Sequence, residues 1–371
     1  MGATASIVRR CGAVRPAAPG TQVAQLPGRK IDLHCHLHTP AVEQLISDHP
    51  KRQAAAASEA RAVGAASVDI NARKFAALAP KLTQVDERLR DMDAMGVDVQ
   101  VISPSPLQYH YWAEPDLADQ LVRLQNEAVA SYCARHPERF IGLGAVALQD
   151  PLLAARQLDC LIRKGGFKGV EISTLVNGRD IADRFFDPFW KKADELGAVI
   201  FIHPWGTTLD TRLADHYLMN TIGQPFETTV CLSKLIFSGA LDRFTRVKIL
   251  AAHGGGYLPL YVGRSNHAYA VRSDAQGCLC RPADYLKRIW FDSLVYEPEQ
   301  LARLIDQVGV KQIVLGTDYP FDMGHYDPAS LLEDFDERTQ RLILEENAAT
   351  LLDLPYVAAS QGDAPASRCQ E

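Results

Sequence analysis

The chain has no apolar stretch long enough to span a bilayer and no basic stripe interleaved with aromatic residues. A membrane-spanning helix needs about 20 consecutive apolar residues, whereas the longest apolar runs here are strand-sized. A formal charge of −6 over 371 residues offers little to a phosphate backbone. Nucleic-acid and membrane partners are therefore not expected. Cysteine usage is equally unrevealing of structure: Cys11, Cys35, Cys133, Cys160, Cys231, Cys278, Cys280 and Cys369 are scattered through a chain too large to need disulfide staples. They read as reduced thiols of a cytoplasmic protein. Cys278 and Cys280 form a Cys-x-Cys pair, but a closed zinc site needs four ligands and no second pair lies nearby. Acidic residues are absent before Asp32, where Arg9, Arg10, Arg15 and Arg29 stand among alanines and prolines. Residues 1–29 read as a flexible extension whose charge is that of a transit peptide but whose prolines spoil a long amphipathic helix. Met1 to Ser6 fits the myristoylation pattern, a match too short to carry weight alone. Residues 358–371, rich in Ser, Gln, Gly, Asp and Pro, read as a disordered tail.

What is present is a regular alternation. Strand-like runs fall at 30–36, 98–103, 139–145, 168–173, 198–203, 247–252, 288–293 and 312–317. Helical periodicity fills 85–95, 116–135, 151–163, 188–196, 228–241 and 298–308 between them. Eight repeats of strand and helix predict a (β/α)8 TIM barrel, one domain over residues 30–357. A helical segment at about 40–82 is inserted after the first strand. Its alanine-rich core, residues 53–62, has high helix propensity and little apolar bulk. Leaving the catalytic mouth of a barrel, it is either a lid or a surface excursion.

Polar residues mark the ends of four strands. His34 and His36 lie two apart on the first, so both imidazoles point to one face. His203 ends the fifth, His253 the sixth and Asp318 the eighth. Alone, a His-x-His pair is more often packing than metal binding, but carboxyl ends of barrel strands converge on one mouth. Three neutral imidazoles and a carboxylate suit Zn²⁺ with an open position for water; Mn²⁺ and similar divalent ions also fit. Such an ion would lower the pKa of its water toward neutrality. His253, followed by Gly254-Gly255-Gly256, can then act as acid or base toward that water.

The linked motifs Leu33-His34-Cys35-His36, Phe201-Ile202-His203-Pro204-Trp205, Ala252-His253-Gly254-Gly255-Gly256 and Leu315-Gly316-Thr317-Asp318-Tyr319-Pro320-Phe321 resemble the amidohydrolase superfamily. More narrowly they resemble its decarboxylase branch, typified by aminocarboxymuconate-semialdehyde decarboxylase, over about residues 30–354. The resemblance implies Zn²⁺ on His34, His36, His203 and Asp318, with His253 as catalytic acid/base and Asp318 also exchanging protons with the reacting carbon. It further implies a homodimer in which Arg264, within Val262-Gly263-Arg264, reaches the neighbouring site and holds a substrate carboxylate. Guanidinium pairs with carboxylate in a bidentate fork.

A second substrate arginine of the family has no clear counterpart in the alanine-rich insertion. Arg73 is nearest, with Arg61 and Arg52 behind it. His216-Tyr217-Leu218-Met219-Asn220 replaces a more aromatic family segment, and His325 replaces a family acid. These departures bear on the substrate and leave the metal chemistry untouched. Trp205 and Phe321 flank ligands and read as faces on which a flat unsaturated substrate could stack, or as packing. His38 continues the alternation after His36 but reads as a rim residue. Trp112, Trp190 and Trp290 read as packing, and His49, His110, His136 and His267 as surface or packing histidines.

Two reactions fit these residues. A metal-dependent, non-oxidative decarboxylase of a small unsaturated or aromatic carboxylic acid is the leading expectation. A hydrolase or hydratase using the same hydroxide is the alternative. A binding protein on a dead barrel would have lost a ligand or His253, and all five are present.

Overall fold

The computed structural model describes residues 28–354. The terminal extension and tail expected from the sequence lie, but for Gly28 and Arg29, outside these residues. Eight parallel strands run in the order β1 (Ile31–Leu37), β2 (Val99–Pro104), β3 (Phe140–Gly144), β4 (Gly169–Ile172), β5 (Val199–Ile202), β6 (Lys248–Ala251), β7 (Ile289–Asp292) and β8 (Ile313–Val314). Closure onto β1 comes from the stretch after β8: Leu33 N–H donates to Leu315 O at 2.8 Å and His36 N–H to Tyr319 O at 2.8 Å. The sheet is thus the expected (β/α)8 barrel. A short antiparallel hairpin, Leu175–Val176 with Arg179–Asp180, stands outside it.

Ile31, Leu33, Val99, Val101, Leu143, Val199, Phe201, Leu250 and Val314 fill the barrel floor. Fully burying one such side chain stabilises the fold by about 1.5–3 kcal/mol. Strict alternation on β1 would send His34 outward once Leu33 points inward. A register shift between Asp32 and Cys35 resolves the conflict: this bulge lets Leu33 serve the floor and His34 the site above it. Asp32, fully buried, holds the bulge by accepting from His34 N–H at 3.2 Å and Thr317 N–H at 3.0 Å. Cys35 and Leu37 face outward and pack with Met92, Ile102 and Tyr319, as the sequence predicts for Cys35.

The insertion is helical throughout: α1 (Pro40–Ile46), α2 (Pro50–Val63) and α3 (Ala65–Thr83). It follows β1, and it meets the loop that follows β5, the strand opposite in an eight-stranded ring. Val63 packs with Leu213 and Met219, and Gly64, at φ +84, lies so close to Ala214 O that any side chain there would strike it. Two segments from opposite sides of the mouth therefore join above it as a roof. Barrel helices α4 (Val85–Met95), α5 (Pro115–Arg135), α6 (Pro151–Gly165), α7 (Asp187–Leu196) and α8 (Gln224–Phe237) match the helical periodicity to within a few residues. Local chemistry sets their ends: at α6, Asp150 accepts from Leu152 and Leu153 N–H, Pro151 opens the helix, and Gly166 closes it in the left-handed region.

Helix α9 (Leu258–Val271) was not expected from periodicity. Its apolar residues do not form one stripe, because Leu260, Tyr261 and Val271 are exposed while Leu258 and Val262 face the core. Helix α10 (Pro298–Val308) has a sharply divided apolar face and matches its expected span. No helix among the described residues is long and apolar enough to cross a membrane. The six cysteines described are all free thiols.

Candidate metal centre

Four side chains from three strand ends meet above the floor. One ligand atom from each of His34, His36, His203 and Asp318 can be chosen so that all lie within 4.8 Å of one another. All four residues are buried. His34 Nε2, His36 Nε2, both ring nitrogens of His203 and Asp318 Oδ1 have no hydrogen-bond partner. Asp318 Oδ1 approaches His34 Nε2 at 3.4 Å and His36 Nε2 at 3.2 Å without hydrogen-bond geometry. Buried polar atoms without partners are rare in native proteins. Four residues, each offering one such atom to the same point, fit a cation with nitrogen and oxygen ligands.

Electrostatics agree with that fit. Burial opposes charging of His34, yet Asp318 and Asp292 push its pKa up to about 10. His203 goes the other way: burial, then His36, His34 and His253, hold it well below its usual value. Burial likewise opposes ionisation of Asp318, but the surrounding imidazoles hold it well below the usual carboxylate range. The carboxylates thus draw positive charge to His34, while His203 resists a proton of its own. A divalent ion supplies that charge while leaving all three histidines neutral, as ligands must be. The structure therefore supports a divalent-metal site on His34, His36, His203 and Asp318.

His253 stands outside the ligand set. Its Nε2 lies 3.9 Å from Asp318 Oδ2, and its ring centroid is 5.0 Å from that of His203 and 5.3 Å from that of His34. Its backbone is left-handed, with φ of +55, an unfavourable state for a residue with a Cβ. Asp292 secures that turn, accepting from His253 N–H at 2.9 Å and Gly254 N–H at 2.8 Å.

Asp292 and Glu171 were missed in the sequence. Asp292 ends β7 and lies 2.6 Å from His34 Nδ1; Glu171, in β4, lies 3.4 Å from His36 Nδ1. Asp292 is thus hydrogen-bonded behind the His34 imidazole, which fixes that ring's orientation and raises basicity at its other nitrogen, while Glu171 places negative charge near His36 without a hydrogen bond to Nδ1. Glu171 also accepts from Ser103 Oγ, and the single hydroxyl hydrogen of Tyr109 is shared between Glu171 Oε1 at 2.8 Å and His203 O at 3.0 Å. The available signal was the rule already applied: acids near the carboxyl ends of the fourth and seventh strands. Arg88 was missed as well. Fully buried on α4, it donates to His36 O and to Gln100 Oε1 at 2.9 Å and lies over the Tyr319 ring at 4.8 Å. A charged residue in an amphipathic helix gives no hint of that location.

The remaining residues singled out in the sequence are placed less centrally. Phe321 is half-buried with its ring 5.4 Å from His36, and Trp205 is half-buried two residues beyond His203. The Trp205 loop is held by buried Glu227, which accepts from Thr208 N–H at 2.6 Å and Oγ1 at 2.7 Å. Arg264 on α9 and Arg73 on α3 are both exposed, and neither forms an ion pair among the described residues. Arg52 is engaged by Glu43 at 3.2 Å, and Lys74 by Asp322.

Comparison with known proteins gives the same picture. Over 274 residues the chain is 35% identical to the 2-amino-3-carboxymuconate-6-semialdehyde decarboxylase of Dictyostelium discoideum, covering 72% of this chain and 76% of that one. It is 29% identical over 255 residues to a gamma-resorcylate decarboxylase of Polaromonas, covering 64% and 77%. The fold matches the crystal structure of 5-carboxyvanillate decarboxylase from Novosphingobium aromaticivorans, complexed with manganese and 4-hydroxy-3-methoxy-5-nitrobenzoic acid. That match has a TM-score of 0.75 at 23% identity, covering 88% of this chain and 96% of the other. Residues 31–354, from the first barrel strand to the last described residue, match the amidohydrolase family, and the chain belongs to that family.

Proposed function

We propose that the protein is a metal-dependent, non-oxidative decarboxylase of a small unsaturated or aromatic carboxylic acid. The observation that carries this reading is the buried four-residue ligand set with His253 beside it, outside the set but 3.9 Å from Asp318. The decarboxylases among its relatives support the reaction class. A divalent ion on His34, His36, His203 and Asp318, zinc in our assignment, would polarise oxygen atoms of the substrate.

The chain's own residues then handle the proton. The bond between the carboxylate and the substrate carbon breaks, CO₂ leaves, and the electron pair left on that carbon takes a proton from His253, directly or relayed through Asp318, whose Oδ2 lies 3.9 Å from His253 Nε2. Asp292 fixes the His253 turn, so the imidazole keeps its place through that transfer. Trp205 and Phe321 supply flat apolar faces for an unsaturated substrate. Arg264, exposed on α9 beside the exposed Leu260 and Tyr261, reaches the neighbouring site of a homodimer and holds a substrate carboxylate there. Arg73 or a neighbour in the insertion supplies the second anion contact. All of this lies in one domain, residues 30–357, of a cytoplasmic enzyme.

Product analysis tests the reaction. Protein loaded with zinc or manganese should release CO₂ from a hydroxybenzoate or an aminocarboxymuconate semialdehyde, with the product lighter by CO₂. A product heavier by one water, with no CO₂ released, would overturn the proposal in favour of hydration.

A further inference from the structure

Arg88 is fully buried on α4, yet its partners among the described residues are all uncharged. It donates to His36 O, to Gln100 Oε1 at 2.9 Å and to Lys81 O at 3.4 Å, and its guanidinium lies over the Tyr319 ring at 4.8 Å. Taking a charge out of water with no carboxylate opposite destabilises a fold, and an apolar side chain of similar volume would serve packing better. Stability alone therefore does not account for an arginine here. Its two contacts beside the metal centre do: His36 is a ligand, and Tyr319 directly follows the ligand Asp318.

The seam between these residues is thin. Strand β8 has two residues, and closure onto β1 rests on Leu33 N–H to Leu315 O, His36 N–H to Tyr319 O and the bonds of the Asp32 side chain with Thr317. Three of the four ligands flank this seam, His34 and His36 on β1 and Asp318 after β8. Asp318 has a left-handed backbone, with φ of +58, which is unfavourable for a residue with a Cβ and persists only where its surroundings hold it. The next residue is the one that α4 grips. Tyr319 is fully buried; Arg88 covers its ring, and Asp91, three residues on and so on the same face of the helix, accepts from its hydroxyl at 2.7 Å. Lys81 pairs with Asp91 in turn. The guanidinium that covers Tyr319 also holds His36 O, so one rigid planar group spans the seam.

We propose that Arg88 is a positioning residue of the metal centre: by fixing His36 O and the Tyr319 ring together, it sets the separation of the His36 and Asp318 ligand atoms. This rests on the ligand set described above and holds whatever acid the enzyme consumes. The test uses the full chain, stripped of metal and reloaded with Co²⁺, whose visible absorption reports ligand geometry. Chelator competition gives the affinity, and the melting midpoint of the metal-free protein is read separately.

The wild type should bind about one Co²⁺ per chain. Arg88→Met should weaken binding about 10- to 100-fold, the usual effect of losing an outer partner of a ligand, and should change the position or intensity of the visible bands. Arg88→Lys, which keeps a donor for His36 O but not the flat group over Tyr319, should fall between the two. Asp91→Ala should shift the spectrum in the same direction as Arg88→Met, to a smaller extent. An arginine that only supports the fold would, on removal, lower the melting midpoint and leave the spectrum and affinity of the folded protein unchanged; that result would overturn the proposal. Should Arg88→Met fail to fold, wild-type spectra and affinities in both Arg88→Lys and Asp91→Ala would overturn it equally. A wild-type chain that binds no Co²⁺ would refute the ligand set, and the role of Arg88 with it.

Discussion

His34 Nδ1 and Asp292 Oδ2 are 2.6 Å apart, both fully buried, and the same oxygen accepts the backbone N–H of His253 at 2.9 Å. One carboxylate thus orients a metal ligand and the proposed acid/base together. Its other oxygen accepts from Gly254 N–H at 2.8 Å and Leu294 N–H at 3.2 Å, so both oxygens are committed.

Asp292→Asn replaces one of those oxygens with an amide NH₂ group, which cannot accept. Whichever way the amide lies, two donors lose their partner. Metal affinity should fall about 10- to 100-fold, the usual effect of removing a carboxylate behind a ligand histidine. Turnover at saturating metal should also fall, because the His253 turn loosens. Competition with a chelator of known affinity measures the first effect and steady-state kinetics the second; unchanged affinity would mean that His34 is oriented by packing alone.

Ligand and acid/base substitutions should separate cleanly. His34→Ala and Asp318→Ala should lose both bound metal and turnover. His253→Ala should keep about one ion per chain while kcat falls by roughly 10² to 10⁴, the range for loss of a general acid or base. Elemental analysis of the purified variants decides the matter, and metal loss in His253→Ala equal to that in His34→Ala would make His253 a ligand.

The barrel was legible because its strands are near-continuous apolar runs ending in polar residues. His34, His36, His203, His253 and Asp318 were legible for the same reason: each stands at or near the carboxyl end of such a run. Asp292 and Glu171 lie inside their strands, near the carboxyl ends, where a single acid in an apolar run carries no spacing or motif that marks it as a site residue. The bulge on β1 left no trace in the residue pattern, since it reconciles Leu33 with His34 through backbone register alone. Helix α9 was hidden by its exposed apolar residues, which break the stripe that periodicity seeks. Joining of the insertion to the loop after β5 depends on a backbone contact, Gly64 against Ala214, that side-chain chemistry cannot announce.

The roof should loosen in acid. Burial raises the pKa of Glu43, but hydrogen bonds from His110 and Gln108 and the charge of Arg52 override it and bring the value down to about 2. A carboxylate depressed below its unfolded value near 4.5 contributes stability above that pH, and loses it as pH falls toward 2. After allowance for solvent screening, that contribution is on the order of 2 kcal/mol. Hydrogen exchange in α1 and α2 should therefore accelerate between pH 4.5 and 2 in the wild type, and Glu43→Gln should show fast exchange already at pH 6. Equal protection of the two proteins at pH 6 would remove Glu43 as the fastening.

Arg264 provides the test of assembly. It is exposed on α9, within a surface where Leu260, Tyr261 and Val271 are exposed as well. Exposed apolar patches of this kind mark association surfaces, and the proposed dimer places Arg264 in the neighbouring site. His253→Ala and Arg264→Ala should each be nearly inactive alone. In a mixed dimer one site inherits both defects and the other inherits neither, so subunit exchange should restore activity to a substantial fraction of the wild-type value. Native mass spectrometry establishes that mixed dimers have formed. Mixed dimers without regained activity would return Arg264 to its own subunit or remove it from the site altogether.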